Sequence, residues 1–440
     1  MNHLLGGDLI GNDFIGAVLI SALFLSLLLI AELWRRWGSA PAEHTRKLVH
    51  IGGGLVCVFL PFLIERLWII FLLAASLTGL FLLARRFGFL DSLHGVDRHS
   101  RGAEYFPLSV FLLLLIVGDD LWRYLAALLV LAVGDASAAL IGKRYGRWRY
   151  QVDGNHKTVE GSLVFLLIAF PAILLPTLLM TDLPRPVCVL AALLVAVLVT
   201  FFEAISLNGT DNLFVPLGVA ILLHTVTNQP LEEIAFQNLS LLGLTLIIAL
   251  LVIRLPYLNT GSILTIILYA HGTWAFGAWH WALPTLTGLA LYLLIWARVA
   301  RHQPIEPIPV HHTVRALLGP FLLVALTSGL QAHHQLLPAY LGASATVLAL
   351  ALAEPWFRLP GMEKRPVVGV LGLGLIASVT VLGPMVFVVS DLPILPIVVL
   401  TLLATSVVVG SELRREQAPA EEWTAWRFLA GWGVAGILVV

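Results

Sequence analysis

The feature that most constrains this chain is a succession of long apolar runs that continues through almost its whole length. A helix that crosses the hydrocarbon core of a bilayer needs roughly 20 apolar residues, and the first run, residues 14–33, is long enough. Runs bounded by charge, Pro and Gly give roughly 14–16 candidate spans. Since backbone polar groups in lipid must be satisfied within the spanning segment, these spans are helices. The sequence therefore predicts an all-α fold, a polytopic transmembrane helical bundle.

Composition supports the bilayer as the solvent of this chain. Hydrophobic residues make up 59% of the 440 residues and charged residues only 12%, against about 25% charged residues in soluble domains. A formal net charge of +0 argues against nucleic acid as a partner, because binding to phosphate backbones requires an excess of basic residues. Cys57 and Cys188 lie in separate apolar runs and are predicted to be buried packing residues. No cleavable leader is evident, which favours a bacterial cytoplasmic membrane.

Charge predicts the orientation of the spans. If the N-terminus lies outside, all but three of the 26 Lys and Arg residues fall on the inner side, the exceptions being Arg66, Arg123 and Arg185. Cytoplasmic loops carry such an excess. The inner loops of residues 1–226 are rich in ionisable groups, whereas residues 235–440 are plainer and are predicted to form an additional transmembrane domain of unknown role.

Two polar clusters lie at the inner boundaries of the early spans. Arg46 precedes His50 by four residues and Lys47 precedes it by three, spacings that share one helix face if the second span begins near Arg46. Three glycines, residues 52–54, follow and permit close approach of a helix or a ligand. A basic membrane anchor explains the two cations but not His50. Residues 98–107 alone are typical of a solvated loop with an aromatic interface anchor.

The third cluster is the strongest signal because it places a carboxylate inside an apolar span. Asp135 lies within the predicted span at residues 121–142, where a carboxylate costs roughly 2.5–3.5 kcal/mol and normally has a partner or a function. Gly134, Ala138 and Gly142 recur every four residues and form a face suited to close helix contact.

A strongly basic loop separates Asp135 from Glu160. It contains Lys143 and Arg144, and Lys157 precedes Glu160 by three residues. Carboxylates beside Lys and Arg are what a metal–nucleotide phosphate site requires, because the acids hold Mg²⁺ and the cations neutralise phosphoryl oxygens. The alternative is a structural ion-pair network.

A fourth cluster, residues 203–212, closes another pair of spans on the same side and ends with Asp211. An Asn-Gly turn with helix caps accounts for it equally well. The sequence contains no GxxxxGK[ST] motif, so a kinase would need a phosphate site of another kind.

Five segments carry a family resemblance, namely RKLVHIGGG, YFPLSV, GDASAALIGKRYG, HKTVEGS and EAISLNGTDNLFVPL. They occur in the order seen in the dolichol kinase and phytol kinase family, which the chain resembles over residues 43–220, with the phytol kinase branch most similar. The resemblance implies transfer of the γ-phosphoryl group of CTP to a prenyl alcohol such as phytol, farnesol, geranylgeraniol or a polyprenol, with Mg²⁺ as cofactor.

The resemblance also implies roles for individual residues. Asp135 and Glu160, with Asp211, would hold Mg²⁺. Lys157, Arg46 and Lys47 would neutralise triphosphate oxygens, and Asp211 or His50 would orient or deprotonate the acceptor hydroxyl. Lys143, Arg144 and Thr158 complete the predicted nucleotide site.

Two other functions fit parts of the sequence. A phosphatidate cytidylyltransferase-like enzyme would also use CTP, but its HGGxxDR signature is missing: His271-Gly272-Thr273 lacks the following acid and Arg. Diacylglycerol is an alternative acceptor within the kinase interpretation. A multi-pass lipid transporter fits the number of spans, yet transport sites usually lie near the midplane between related repeats, whereas these ionisable groups gather at one face.

Overall fold

The computed structural model describes residues 12–38, 41–87, 101–152, 155–252, 259–277, 279–302, 333–357 and 366–413, with scattered positions between 310 and 324. Within this part of the chain, nine helices are long and apolar enough to cross a membrane, and three shorter apolar helices accompany them. The predicted last span, residues 424–440, lies outside the described residues. The predicted fold class is confirmed: the protein is a polytopic helical membrane protein.

The chain forms two compact units, Met1–Leu239 and Ser240–Val440. The division falls within a helix, Leu231–Val252 (α11). In the first unit the preceding helices are α1 Asp13–Trp37, α2 Ala42–Val58, α3 Leu60–Leu63, α4 Leu67–Phe87, α5 Gly102–Val117, α6 Leu121–Leu129, α7 Asp135–Tyr145, α8 Val159–Met180, α9 Arg185–Ile205 and α10 Asp211–Thr227.

Two candidate spans of the first unit are more enclosed by protein than the other candidate spans of that unit. In the span Leu121–Tyr145 and in α9, 56% of the most apolar window is buried, against 28% in α1, α4 and α8. Asp135 belongs to the first of these spans and Glu203 to the second. A carboxylate facing hydrocarbon would be costly, so central helices are where such groups can be paired.

A π-helical turn, Val130–Gly134, joins α6 to α7 and ends directly before Asp135. Such turns widen a helix locally and often occur at functional sites. The predicted small-residue face follows it and packs against α8: a Cβ on Gly142 would lie 3.3 Å from the Cα of Gly161, and one on Gly161 would lie 3.1 Å from the carbonyl oxygen of Ala138.

A short antiparallel hairpin follows α7 and leads into α8. Its strands are β1 Arg149–Val152 and β2 Asn155–Thr158, and Tyr150 pairs with Lys157 in the register. The backbone amide of Val159 then donates to the carbonyl oxygen of Trp148 at 2.9 Å, which ties the start of α8 to the loop before β1. The hairpin therefore presents Lys157 at a defined position beside the helix ends.

The second unit contains α12 Thr260–Gly277, α13 Ala282–Ala300, α14 His333–Phe357, α15 Pro366–Val386 and α16 Ile394–Leu413. Its core is apolar, and the described buried residues include Trp281, whose ring lies 4.9 Å from that of Tyr340. The Tyr340 hydroxyl donates to the Trp281 carbonyl at 2.7 Å. The described core of this unit is thus built from apolar side chains.

Replacing Gly54 with alanine is expected to destabilise the first unit. A Cβ on Gly54 would lie 2.3 Å from the Cβ of Ala132, so α2 would have to move away from the π-helical turn. Overpacking of this kind costs about 1–3 kcal/mol. Thermal unfolding in detergent should show a lower midpoint for Gly54→Ala.

Gly79→Ala is the matched control on α4, because a Cβ there would meet nothing within 4 Å. Alanine is favoured over glycine inside a helix, so the control should be neutral or stabilising. Equal midpoints for the two variants would contradict the close contact between α2 and the π-helical turn.

Candidate active site

Asp135 is the centre of a buried ion pair. The Lys47 ammonium lies 2.7 Å from Asp135 Oδ2 and also approaches the Asp135 carbonyl oxygen at 3.4 Å. The side chains are only 4% exposed for Lys47 and 17% for Asp135. His50 Nε2 lies 2.9 Å from the carbonyl oxygen of Leu131, in the π-helical turn, and 3.4 Å from Asp135 Oδ2. Lys47, His50 and Asp135, three predicted site residues that are up to 88 positions apart in the sequence, are therefore in contact.

Arg46 lies one residue before Lys47 in α2. Of the described side chains Arg46, Lys47 and His50, only Arg46 has a buried donor without a hydrogen-bond partner. Its Nη2 donates to Glu43 Oε1 at 2.7 Å, whereas its Nε is buried without a hydrogen-bond partner. The guanidinium also interacts electrostatically with Asp135 and Asp211. Arg46 therefore has a charge and a donor available for an anionic ligand.

A second ion pair joins the hairpin to the end of α9. Lys157 donates to Glu203 Oε1 at 2.8 Å, to the carbonyl oxygen of Glu203, and to Ser206 Oγ at 3.1 Å. An ammonium has three donors, so these contacts use all of them. Burial raises the pKa of Tyr150, and the negative charge of Glu203 raises it further. The Tyr150 hydroxyl lies 2.7 Å from Ser162 Oγ, which places the hairpin against α8.

Asp211 begins α10 directly after a tight turn. Asn208 and Gly209 have φ angles of 54° and 86°, the left-handed region that suits an Asn-Gly pair. The Arg101 amide donates to the Asn208 carbonyl at 2.8 Å and holds the turn against the start of α5. Asp211 Oδ1 is buried without a hydrogen-bond partner. A buried carboxylate oxygen in that condition is a candidate ligand for a cation.

Electrostatic interactions connect these groups into one cluster. Glu203 interacts with both Asp135 and Asp211, and Arg46 interacts with the same two carboxylates. We call this set the polar cluster, and its members are Arg46, Lys47, His50, Asp135, Lys157, Glu203 and Asp211. The cluster combines cations, which can neutralise phosphoryl oxygens, with carboxylates, which can hold a metal ion.

Four predicted site residues have other contacts. Glu160 Oε1 accepts from the backbone amides of Arg147 at 2.8 Å and Trp148 at 3.1 Å, so Glu160 anchors the loop before β1. Thr158 caps α8 through a hydrogen bond from the Gly161 amide at 3.1 Å. Lys143 and Arg144 are exposed, and the guanidinium of Arg144 lies 5.3 Å from the centre of the Tyr145 ring.

The solvated-loop interpretation of residues 98–107 is wrong for its described part. Gly102 begins α5, and Glu104 is 5% exposed and pairs with Arg85 at 2.9 Å. Phe106 is also buried, and its ring lies 5.8 Å from that of His50 in an edge-to-face arrangement. Arg85 belongs to the preceding helix, α4, so the residues of this segment alone could not predict the ion pair.

Glu203 is the functional candidate that sequence reasoning did not assign to the site. It lies near the end of an apolar helix, where a buried carboxylate already signals a partner or a function. Its partner, Lys157, is 46 residues away and belongs to a strand. Because Lys157 and Glu203 lie far apart in the sequence and in different elements, helical spacing could not predict that they form a pair.

The described residues contain no group of three His, Cys, Asp or Glu side chains arranged to ligate one metal ion. Mg²⁺ does not require one, because it usually keeps several waters and takes one or two protein carboxylates together with substrate phosphates. Asp211, with its unpartnered oxygen, and Asp135 fit this mode. Glu160 fits it less well, because backbone amides already occupy its carboxylate.

Ionisable groups buried within membrane spans mark a functional site, and the fold and polar cluster define a membrane protein with such a site. A phytol kinase from Synechocystis sp. is 38% identical over 197 residues, which are 44% of this chain and 84% of the relative. The chain therefore belongs to the lipid-alcohol kinase family.

Two further relatives match the chain, one over a shorter segment and one at lower sequence identity. The dolichol kinase of Saccharomyces cerevisiae is 49% identical over 43 residues, 10% of this chain and 8% of the relative. An uncharacterized protein from Methanocaldococcus jannaschii is 28% identical over 196 residues, 42% of this chain and 95% of the relative. No family model matches the chain, and no solved structure does.

Proposed function

We propose that the first unit transfers the γ-phosphoryl group of CTP to the hydroxyl of a prenyl alcohol, at the cytoplasmic face of a bacterial membrane. The alcohol oxygen forms a bond to the γ-phosphorus, the bond from that phosphorus to the bridging oxygen breaks, and CDP leaves. The hydroxyl proton passes to a base of the polar cluster. The similarity to phytol kinase and dolichol kinase supports the alcohol as acceptor.

The observation that carries the proposal is that one buried hydrogen-bond donor and one buried hydrogen-bond acceptor of the polar cluster have no hydrogen-bond partner. Arg46 Nε is a donor without an acceptor, and Asp211 Oδ1 is an acceptor without a donor. The two side chains interact electrostatically, yet they do not satisfy each other's free atoms. A buried polar atom without a partner costs about 1–3 kcal/mol. A metal–triphosphate ligand would satisfy both, because its phosphate oxygens accept and its cation binds carboxylate.

Mg²⁺ fits this arrangement as the cofactor. Asp211 and Asp135 would hold it, and when bound it neutralises charge on the phosphate oxygens. Arg46 would contact the phosphates with its free donor. Lys47 would contribute through Asp135, since their ion pair fixes the carboxylate of the residue that directly follows the π-helical turn. Glu160 and Thr158 support the site by holding the loop and the start of α8.

His50 or Asp211 would orient or deprotonate the acceptor hydroxyl. His50 Nε2–H donates to the Leu131 carbonyl, and this bond fixes the orientation of the ring inside the membrane edge. A proton acceptor is useful only when its position is fixed relative to the nucleophile. Phosphoryl transfer depends mostly on such positioning and on electrostatic stabilisation rather than on covalent catalysis.

The purified protein is expected to transfer label from γ-labelled CTP to a prenyl alcohol. The assay would offer CTP and, separately, ATP with phytol, farnesol, geranylgeraniol, a polyprenol and diacylglycerol, in the presence and absence of Mg²⁺. Label should appear on a prenyl alcohol with CTP and should disappear when Mg²⁺ is chelated.

The Asp391→Asn variant controls for the removal of a carboxylate outside the proposed site, because Asp391 is an exposed residue of the second unit. It should retain the activity of the wild type. Label on diacylglycerol alone would contradict the prenyl acceptor, and label from ATP alone would contradict CTP as donor. The absence of label on every lipid would contradict the kinase itself and favour the transporter.

A further inference from the structure

An apolar cavity of about 250 Å³ lies in the first unit between α1, the α2–α3 segment, α4 and α5. Its walls carry no charged side chain, and the few polar groups among the lining residues are the hydroxyls of Ser21 and Ser76 and the thiol of Cys57. The Ser76 hydroxyl is already satisfied, because it donates to the Leu73 carbonyl at 2.9 Å. The cavity therefore suits hydrocarbon and offers little to a polar ligand.

One end of the cavity adjoins the polar cluster. Phe106 lines the cavity, and its ring also makes the edge-to-face contact with His50. On α2, the positions of His50, Gly53 and Cys57 follow one another at helical spacing along one stripe. Phe24 and Phe106 both approach Gly53, at 3.1 Å and 3.7 Å from where its Cβ would be. Phe106 therefore contacts His50 and also lines the cavity.

The cavity is elongated along the helices. Its lining on α4 extends from Ile70 to Leu80, which corresponds to about 15 Å of helix axis. Cys57 and Leu60 line it on the α2–α3 segment, beyond the glycines and away from His50. A molecule whose polar end reached His50 would thus extend its apolar end along α4 towards Ile70.

We propose that this cavity holds the hydrocarbon tail of the acceptor and selects single-chain alcohols by length. The inference rests on the proposed function, because it takes the polar cluster as the place of the acceptor hydroxyl. Pockets that bury a whole drug-sized ligand measure about 300–1,000 Å³, so a cavity of this size accommodates one chain rather than the two chains of diacylglycerol. The apolar lining along α4 favours a prenyl chain that lies parallel to this helix.

Substituting Ala74 tests the proposal, because Ala74 lines the cavity on α4 and its neighbour Ala75 is exposed outside it. Ala74→Phe should block the far part of the cavity. We expect kcat/KM for geranylgeraniol relative to that for the shorter geraniol to fall by about 10-fold or more, since a few methylene contacts are worth that much. Ala74→Leu should give a smaller fall, and Ala75→Phe should leave the ratio unchanged.

A binding measurement separates this proposal from the kinase proposal. A single-chain alcohol carrying a diazirine near its end should label peptides from α1 and α4 in the wild type and lose this labelling in Ala74→Phe. Excess geranylgeraniol should compete, and excess phosphatidylglycerol should not. All three variants would first be checked for a monodisperse, folded state in detergent.

The outcomes are distinguishable. If the wild type phosphorylates prenyl alcohols but the length ratio is unchanged in Ala74→Phe, the cavity is not the tail site and the kinase stands. If no lipid is phosphorylated, the kinase fails, and the labelling result decides the cavity separately. Competition by phosphatidylglycerol as effective as that by the alcohol would identify a site for bulk membrane lipid and overturn the proposal.

Discussion

Substituting Asp135 with asparagine is expected to lower the rate of phosphoryl transfer by about 100- to 1,000-fold, the usual effect of removing one preorganised electrostatic group from an active site. Asparagine has nearly the same shape, so the helix α7 and its contact with α8 should persist. The charge that holds Lys47, at 2.7 Å, and the proposed Mg²⁺ ligand would both be lost. Initial rates with CTP and a prenyl alcohol in the presence of Mg²⁺ measure the effect.

Stability must be separated from catalysis in this variant. Removing one partner of a buried pair costs about 3–5 kcal/mol, because it leaves the other charge buried and unpaired, and Lys47 is only 4% exposed. The double variant Lys47→Met with Asp135→Leu removes both charges and keeps a similar volume. We expect it to unfold at a midpoint close to that of the wild type while remaining inactive.

Two results would contradict this assignment. An active double variant would show that the pair is a structural device and that the reaction does not use Asp135. An Asp135→Asn protein that is stable and fully active would show that neither the charge nor the metal ligand is needed. In either case the reaction would have to depend on the other members of the polar cluster, foremost Asp211 and Arg46.

The parts of this site that the sequence predicted correctly are those set by local spacing. His50 and Arg46 belong to one helix because the polar residues of α2 recur every three or four positions. The spacing of Gly134, Ala138 and Gly142 indicated a close helix contact, and α8 provides it through Gly161. These inferences depend only on the regular spacing of side chains along an α-helix.

The parts that the sequence did not predict depend on chain reversal and on distant pairing. Lys157 and Glu160 are three residues apart, which on a helix would place them on one face, but Lys157 lies in β2 and Glu160 in α8. Lys157 therefore turns to Glu203 while Glu160 binds the loop amides. A widened helical turn before Asp135 is likewise invisible in residue types, because its Val, Leu and Ala suit an ordinary helix equally well.

A pair of variants at Lys157 and Glu203 is the second test with a large expected effect. The resemblance assigned Lys157 to the triphosphate, yet all three of its donors are engaged by Glu203 and Ser206. We therefore expect Lys157 to act through Glu203, holding the end of α9 beside the turn that presents Asp211. Lys157→Met and Glu203→Gln should each lower kcat by about 100-fold or more, the scale on which loss of precise positioning acts.

A double-mutant cycle decides whether Lys157 contacts the nucleotide directly or acts by positioning Glu203. If the two residues act as a unit, the double variant should be no slower than the slower single variant, because the second substitution removes nothing further. Multiplicative losses, with a raised KM for CTP in Lys157→Met alone, would show instead that Lys157 contacts the nucleotide independently of Glu203. Arg149→Met, which removes an exposed cation from β1 of the same hairpin, controls for a general loss of positive charge and should leave both constants unchanged.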